Sequence, residues 1–259
     1  VDPYDSILVL NSSAAENDVF DNLLQSVPTA TTFTLGDNSD VNASSGTYVA
    51  YLFAGGESTQ NEAVSVDMDG TGDYLSAGSS SDFTMGTGDF TIECWARFDD
   101  YTNRGVFQIS DSSGGLSSAG GGAAGGSIAF AHNGSNWHVY GAGSSHNTSH
   151  TRTAGSWYHI AYTRSSGVSR CFVNGTKTHE FTDTYNYNGT HVAIGGYYNT
   201  SYLMKGEISN FRIVKGTAVY TSSFRPPTEP LTNITNTKLL CCNNSSTTGS
   251  TVTPGTITA

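Results

Sequence analysis

The sequence predicts an all-β protein, a two-sheet antiparallel β-sandwich with an N-terminal extension, on three observations. The first is composition: hydrophobic residues are 36% and charged residues 13% of the 259-residue chain. The remainder is rich in Ser, Thr, Gly and Asn, a mix that suits short strands joined by polar turns and gives helices little to work with. The second is a succession of strand-like runs at the close spacing of a sandwich from Ala63 onward. The third is Asn174-Gly175 between two alternating runs, the residue pair a type I′ hairpin turn prefers. A chain of this length can bury one large core, and 11% aromatic residues supply the burial that disordered chains lack.

Taken in order, residues 1–60 form a segment of distinct texture that either adds strands to the sandwich or anchors it. DSILVL (Asp5 to Leu10) reads as a buried strand, Asn17 to Ser26 as a short helix, and TTFTL and GTYVAYLFAG as further strands. The sandwich proper spans 61–242. Its strands are VSVDM, DYLSAG, DFTIECWARF, GVFQIS, SIAFAH, NWHVYG, WYHIAYTR, the two arms of SRCFVNGTKTHEF, HVAIGGY, GEISNFRIVKG and TKLLCC. In DFTIECWARF, Phe90, Ile92, Cys94 and Ala96 share one face, while Thr91, Glu93 and Trp95 share the other. Ser112 to Ser127, with GGGAAGG at its centre, is too rich in small residues to pack and reads as a long surface loop. The prolines of SSFRPPTEP forbid a central strand there. Residues 243–259 read as a linker or terminal arm, and the ends at Val1 and Ala259 as those of a processed product or a piece of a longer polypeptide.

The formal charge is −11, from 11 basic and 22 acidic residues. Such a surface repels phosphate backbones and anionic membranes, so nucleic acid is not expected as a partner. No apolar run approaches the roughly 18 residues that span a bilayer, so membrane insertion is not expected either. Cys94, Cys171, Cys241 and Cys242 lack C-x-x-C spacing, which argues against a zinc site. The first two read as small buried hydrophobes in strands, and the adjacent pair as free thiols.

The segments DMDGTGDYLSAG, GTGDFTIECWARF, GSWYHIAYTR, CFVNGTK and GEISNFRIVKG occur in order between about Val64 and Leu240. Together they resemble the concanavalin A-like lectin/glucanase superfamily, in its laminin-G-like jelly-roll branch. The segment FRIVKGTAVYTSSFRPPTEPLTNITNTKLLCC and the opening DPYDSILVL are similar to stretches of virion and tail-fibre-like proteins of marine phages, particularly those infecting cyanobacteria. The resemblance implies a jelly-roll sandwich on a virion surface or otherwise extracellular. It supplies no ligand.

That superfamily holds both lectins and glycosidases, so chemistry must be read from residues. Retaining members carry an E-x-D-x-E or E-x-D-x-x-E pattern on one strand, and none occurs here. Glu93 and Glu207 each stand alone among apolar or neutral neighbours. His132, His138, His146 and His150 flank polar loops without carboxylates at ligand spacing and read as surface histidines. No nucleophile elbow or phosphate-binding loop is present, and no catalytic residue is assigned.

Calcium is the one cofactor considered: DMDGTGDY sets Asp67, Asp69 and Asp73 around two glycines, hard oxygen ligands on a tight turn. The competing reading is that these aspartates cap the turn. A sugar site would need an aromatic platform with amide and carboxylate partners. Trp95 and Trp157, inside family motifs, are assigned to the core. Trp137, after Asn133-Gly134-Ser135-Asn136, is placed at a loop mouth, and Tyr185, Tyr187, Tyr197, Tyr198, Asn199 and Tyr202 complete the carbohydrate candidates. The same Tyr/Asn-rich surface suits a protein contact equally well.

The leading expectation is therefore a non-enzymatic virion component, a tail fibre, appendage or capsid decoration, that attaches to host-surface glycan. The alternative is a structural assembly subunit contacting only other virion proteins, and a secreted glycan hydrolase comes third. A homo-oligomer is expected in either leading case, because sandwich edges need covering.

Overall fold

The computed structural model describes residues 34–37, 39–47, 64–111, 127–196 and 202–259. The chain divides into two compact units, Val1–Gly55 and Gly56–Ala259. In the first, the described residues hold one helical turn, α1 (Ser39–Asn42), with Asn42 Nδ2 donating to the Gly36 carbonyl at 3.1 Å. The strands expected at DSILVL and YVAYLFAG and the helix expected at 17–26 lie outside the described residues.

The second unit is a sandwich of two antiparallel sheets, eight- and seven-stranded among the described residues. Its strands in chain order are β1 (Val66–Asp69), β2 (Leu75–Ala77), β3 (Phe90–Phe98), β4 (Arg104–Ser110) and β5 (Ile128–Asn133). There follow β6 (Asn136–Gly141), β7 (Ser144–Thr151), β8 (Trp157–Ser165), β9 (Val168–Val173) and β10 (Thr176–Thr182). The last are β11 (His191–Ile194), β12 (Lys205–Lys215), β13 (Thr237–Cys241), β14 (Ser250–Val252) and β15 (Ile257–Thr258). The first sheet runs β10-β9-β8-β3-β12-β13-β14, with β1 also on β12, and the second runs β15-β2-β11-β4-β5-β6-β7. The expected β-sandwich is thus the observed fold.

Two expectations about strands need correction. Ser144–Thr151, taken as polar loop around His146 and His150, is the edge strand β7. Its polar residues suit an edge, where a strand need not bury both faces. Residues 243–259, taken as a linker or arm, supply β14 to the first sheet and β15 to the second. The tail therefore clamps both layers. The I′ hairpin at Asn174-Gly175 forms as expected, with φ of 48° and 74°.

Alternation along β3 sends Phe90, Ile92, Cys94, Ala96 and Phe98 into the core and Thr91, Glu93, Trp95 and Arg97 to the outer face. All four cysteines are buried and free; burial was expected of Cys94 and Cys171, and free thiols of Cys241 and Cys242. On β12 the alternation is interrupted: Ser209 opposes Trp95 and Arg212 opposes Glu93, so Asn210 and Phe211 together face Cys94. This bulge is centred on Asn210 at φ 54°, whose Oδ1 accepts from Leu231 N–H and whose Nδ2 donates to Ser209 Oγ. Its consequence is positional. Ile208 and Phe211 both reach the core, and Arg212 is turned to the outer face beside Glu93.

There Glu93, fully buried, is the centre of a network. Oε1 accepts from Arg212 Nε at 3.0 Å and Nη2 at 2.5 Å, and Oε2 accepts from His159 Nε2 at 3.1 Å and Tyr220 O–H at 2.9 Å. Glu93 stands alone among its sequence neighbours, and the sheet order and the chain between β12 and β13 bring it these partners. Burial pushes its carboxyl up, but the His159 hydrogen bond and the Arg212 charge outweigh that and hold it below its ordinary value.

Tyr220 belongs to the segment between β12 and β13, residues 216–236, which lies across the outer face as a strap. Thr91 and Thr163 donate to the Thr217 and Tyr220 carbonyls, Phe224 N–H donates to the Gly175 carbonyl, and Arg212 Nη1 reaches the Thr232 carbonyl. Tyr220 stacks on Phe224 at 3.6 Å, and both pack on Phe172 and His159. Gly175 is required twice here: by its positive φ, and because a Cβ would run into the Phe224 carbonyl. Gly175→Ala is expected to cost about 2–4 kcal/mol, combining left-handed strain with overpacking. Urea unfolding should show a lowered midpoint at unchanged slope, and an unchanged midpoint would contradict the strap contact.

Buried histidines add an acid sensitivity that the surface reading of them did not anticipate. His132 is fully buried and His138 nearly so. Burial, aided by the Arg152 charge, pushes His132 down to about 3, and burial pushes His138 down to about 4. The unfolded chain protonates these rings near pH 6.5, while the native chain resists until those lower values. The unfolded state therefore binds more protons in between, and stability falls on acidification from about pH 6.5 toward 4, by up to about 1.4 kcal/mol per pH unit per histidine. Denaturant midpoints measured across that range check this, and a flat profile would contradict the buried placement.

Candidate functional site: an aromatic rim beside the strap

The ends of β1, β3, β5 and β7 and the starts of β2, β4, β6, β8 and β12 lie at one end of the sandwich, as the antiparallel registers require. Among the described residues the exposed large hydrophobics are Leu35, Tyr101 and Trp157, at 37%, 50% and 38%. Tyr101 and Trp157 both stand at this end of the sandwich, on the β3–β4 connection and at the first position of β8.

Tyr101 is held in place. Its hydroxyl accepts from Ala154 N–H at 3.2 Å, and the Arg152 guanidinium lies 5.1 Å from its ring centre and 4.9 Å from that of Phe98. Arg152 is itself buried and donates through Nη2 to the Asp100 carbonyl. The Gly155 amide donates to the Phe98 carbonyl at 2.7 Å, tying the turn before Trp157 to the end of β3. Trp157 pairs with Arg97 in register, on the outer face, with half-buried Trp95 diagonal to it. The strap reaches His159 and Gly175 but leaves Trp157 and Arg97 in solvent contact.

Charge surrounds these rings. Arg97 Nε donates to Glu207 Oε2, and Nη1 lies 3.4 Å from Asp99 Oδ1. Glu207 in turn opposes Asp67 across β12 and β1. Arg104 donates to the Leu203 carbonyl at 2.8 Å and to Asp100 Oδ2 at 3.3 Å. Burial pushes Asp100 up, yet the Thr102 amide and the Arg104 charge together hold it below its ordinary value. Glu207, read from sequence as standing alone, is thus ion-paired.

The residues singled out from sequence fall in several places. Trp137 is corrected: the turn at Gly134-Ser135 is tight, so Trp137 is the second residue of β6 and points inward, fully buried against Phe98, Phe130 and Tyr158. It cannot present a platform to a sugar. Tyr187 is also core, its O–H donating to buried Asp183 at 2.7 Å, and Tyr185 is half-buried against the same cluster. Tyr202 packs, half-buried, on Ala129 and Ala131. Tyr197, Tyr198 and Asn199 lie outside the described residues. The assignment of Trp157 to the core is corrected by its exposure, and Trp95 is only half-buried. Alternation in DFTIECWARF sets Trp95 with Thr91 and Glu93 on the face away from Phe90, Ile92, Cys94 and Ala96, a signal at odds with its assignment to the core.

Asp67, Asp69 and Asp73 are all exposed. Asp69 Oδ1 accepts from Thr71 N–H at 2.5 Å and Asp73 Oδ2 from Asp69 N–H at 3.3 Å, so both cap the β1–β2 turn. Arg104 approaches the Gly70 carbonyl of that turn at 3.5 Å. Among the described residues no group of three or more acidic, His or Cys side chains is arranged to hold a metal ion.

No curated protein sequence matches the chain. Solved structures of similar arrangement include a heptameric SAP-like pentraxin from Limulus polyphemus, at 14% identity over 61% of this chain and 78% of that one, TM-score 0.45. Another is a Bacteroides ovatus protein thought to bind carbohydrate, at 14% identity over 71% of this chain and 53% of that one, TM-score 0.49. A third is the LG4-5 pair of mouse laminin α1, at 15% identity over 58% and 40%, TM-score 0.42. The chain thus spans about half of the second and two-fifths of the third. The Laminin_G_3 family model, described as concanavalin A-like lectin/glucanases superfamily, matches residues 69–219, from the last residue of β1 to the first residues of the strap. With that match covering more than half of the chain, the protein belongs to the concanavalin A-like lectin/glucanase superfamily.

Proposed function

We propose that this chain is a non-enzymatic glycan-binding domain whose sugar site is the Tyr101–Trp157 rim. The observation that carries the reading is a pair of exposed aromatic rings at one end of the sandwich, Tyr101 fixed from beneath by Arg152 and Trp157 on a strand pinned to β3. Rigid aromatic surfaces flanked by hydrogen-bonding groups suit the apolar face and hydroxyl edge of a pyranose, and fixing them beforehand lowers the cost of binding. A hydrolytic role has less support: Glu93 is covered and fully hydrogen-bonded, and Glu207 is ion-paired to Arg97.

The finer reading is that the domain faces outward on a marine-phage virion, as tail fibre, appendage or capsid decoration, and attaches to host-surface glycan. Support for it comes from the phage-like C-terminal segment and opening of the sequence. That C-terminal segment is largely the strap, so the same residues that suggest the setting also shape the rim. A second reading, an assembly subunit in a homo-oligomer, is favoured by β14 and β15, which each end a sheet. Calcium at the aspartate turn is a separate proposal, tested by chelation.

A glycan array probed with the purified chain, with calcium and with chelator, tests these readings together. Binding should weaken about tenfold or more in Trp157→Ala and in Tyr101→Ala, since each removes the better part of an apolar contact. Both variants should keep the parent unfolding midpoint within a few degrees. Binding that neither variant affects, or a blank array with a folded chain, would contradict the rim as a sugar site.

A further inference from the structure

We infer that the buried Arg152 guanidinium beneath Tyr101 holds a small monovalent anion of the halide class. The inference stands apart from sugar binding and rests on a comparison within the chain. Three arginines are buried among the described residues: Arg152, Arg164 and Arg212. A buried cation is costly unless a counter-charge and acceptors replace the water it loses. Arg212 has both, since Nε and Nη2 donate to the Glu93 carboxylate and Nη1 to the Thr232 carbonyl. Arg164 has both as well. Asp183 Oδ1 lies 3.5 Å from its Nη1, and the Gly86, Gly88 and Tyr185 carbonyls accept from its three nitrogens.

Arg152 differs from both. Only Nη2 is engaged, with the Asp100 carbonyl and with His132 Nδ1 at 3.1 Å. Nε and Nη1 are buried without a hydrogen-bond partner, and Arg152 forms no ion pair with a described carboxylate. Asp100, whose charge reaches it, turns its carboxylate to Arg104 and the Thr102 amide instead. The Phe98 and Tyr101 rings, 4.9 and 5.1 Å from the guanidinium carbon, attract the charge but offer its nitrogens no oxygen. A second buried donor at the Phe98 ring lacks an acceptor too: Trp137 Nε1, on a ring centred 5.7 Å away. Water would supply the hydrogen bonds and leave the charge unmatched, whereas an anion supplies both. Both nitrogens are shut off from solvent, with Tyr101 above them, so the site suits a chloride or bromide and excludes the carboxylate of a sugar chain. An anion held there steadies Arg152 and, through it, the Tyr101 ring.

The test follows the thermal midpoint of the full chain in sodium chloride and in sodium gluconate at equal ionic strength, gluconate being too large to enter. The midpoint in chloride should stand about 4–7 °C higher once chloride reaches about twentyfold its dissociation constant. That gap should saturate as for a single site, and Arg152→Gln should abolish it. Equal midpoints in the two salts, the result if water alone occupies the site, would overturn the inference. So would a gap that survives in Arg152→Gln. Should that variant fail to fold, crystals of the parent chain grown in bromide decide the matter. Anomalous density is expected in hydrogen-bond contact with Arg152 Nε and Nη1, and its absence there would overturn the inference. Either result leaves the glycan reading standing, because no sugar enters the experiment.

Discussion

A single carboxylate, Glu93, sits at the point on which the outer half of this molecule depends. It is held out of water by Arg212 from β12, His159 from β8 and Tyr220 from the strap. A buried charge with one partner removed is strongly destabilising, by about 3–5 kcal/mol in comparable cases, so the network fixes where the strap must lie. The geometry that permits it is the Asn210 bulge. One extra residue in β12 turns Arg212 outward, where uninterrupted alternation would have sent it into the apolar core.

The strap then decides what the outer face of the first sheet can do. Where it lies, Leu240, Phe172 and Ala161 are sealed, and that half of the face behaves as a second, smaller core. Where it stops, Trp157 and Arg97 remain in solvent at the same end as Tyr101. A sheet face that is half covered and half open gives a defined aromatic surface with fixed neighbours. Its rigidity comes from hydrogen bonds between the β3–β4 and β7–β8 turns and the buried Arg152, which locks Tyr101 without exposing its own charge.

Much of the fold could be read from the residues because strands write a period-2 pattern and tight turns demand particular residues. DFTIECWARF gave the two faces of β3 correctly, and Asn174-Gly175 gave its hairpin. The polar edge strand β7 and the short strands β14 and β15 were hidden because edges need not bury a hydrophobic row. The candidate site was less legible. Trp137 and Trp157 exchanged roles because a tryptophan after a loop and a tryptophan within a strand look alike until register shows which face each takes. The Glu93–Arg212 pair is separated by 119 residues, and only the sheet order brings it together. The available hint was chemical: a lone carboxylate in an apolar strand needs a partner somewhere.

Family membership establishes the sandwich and leaves its use open, because lectins and glucanases share it. The central claim is that sugar meets the chain at the open rim and that the strap serves only to define it. Hydrogen–deuterium exchange with and without a saturating glycan taken from the array tests this most directly. The account predicts slowed exchange confined to residues 97–104 and 152–158, with the strap at 216–236 unchanged. Protection of the strap, or of the 183–190 connection at the opposite end, with the rim unaffected, would contradict it.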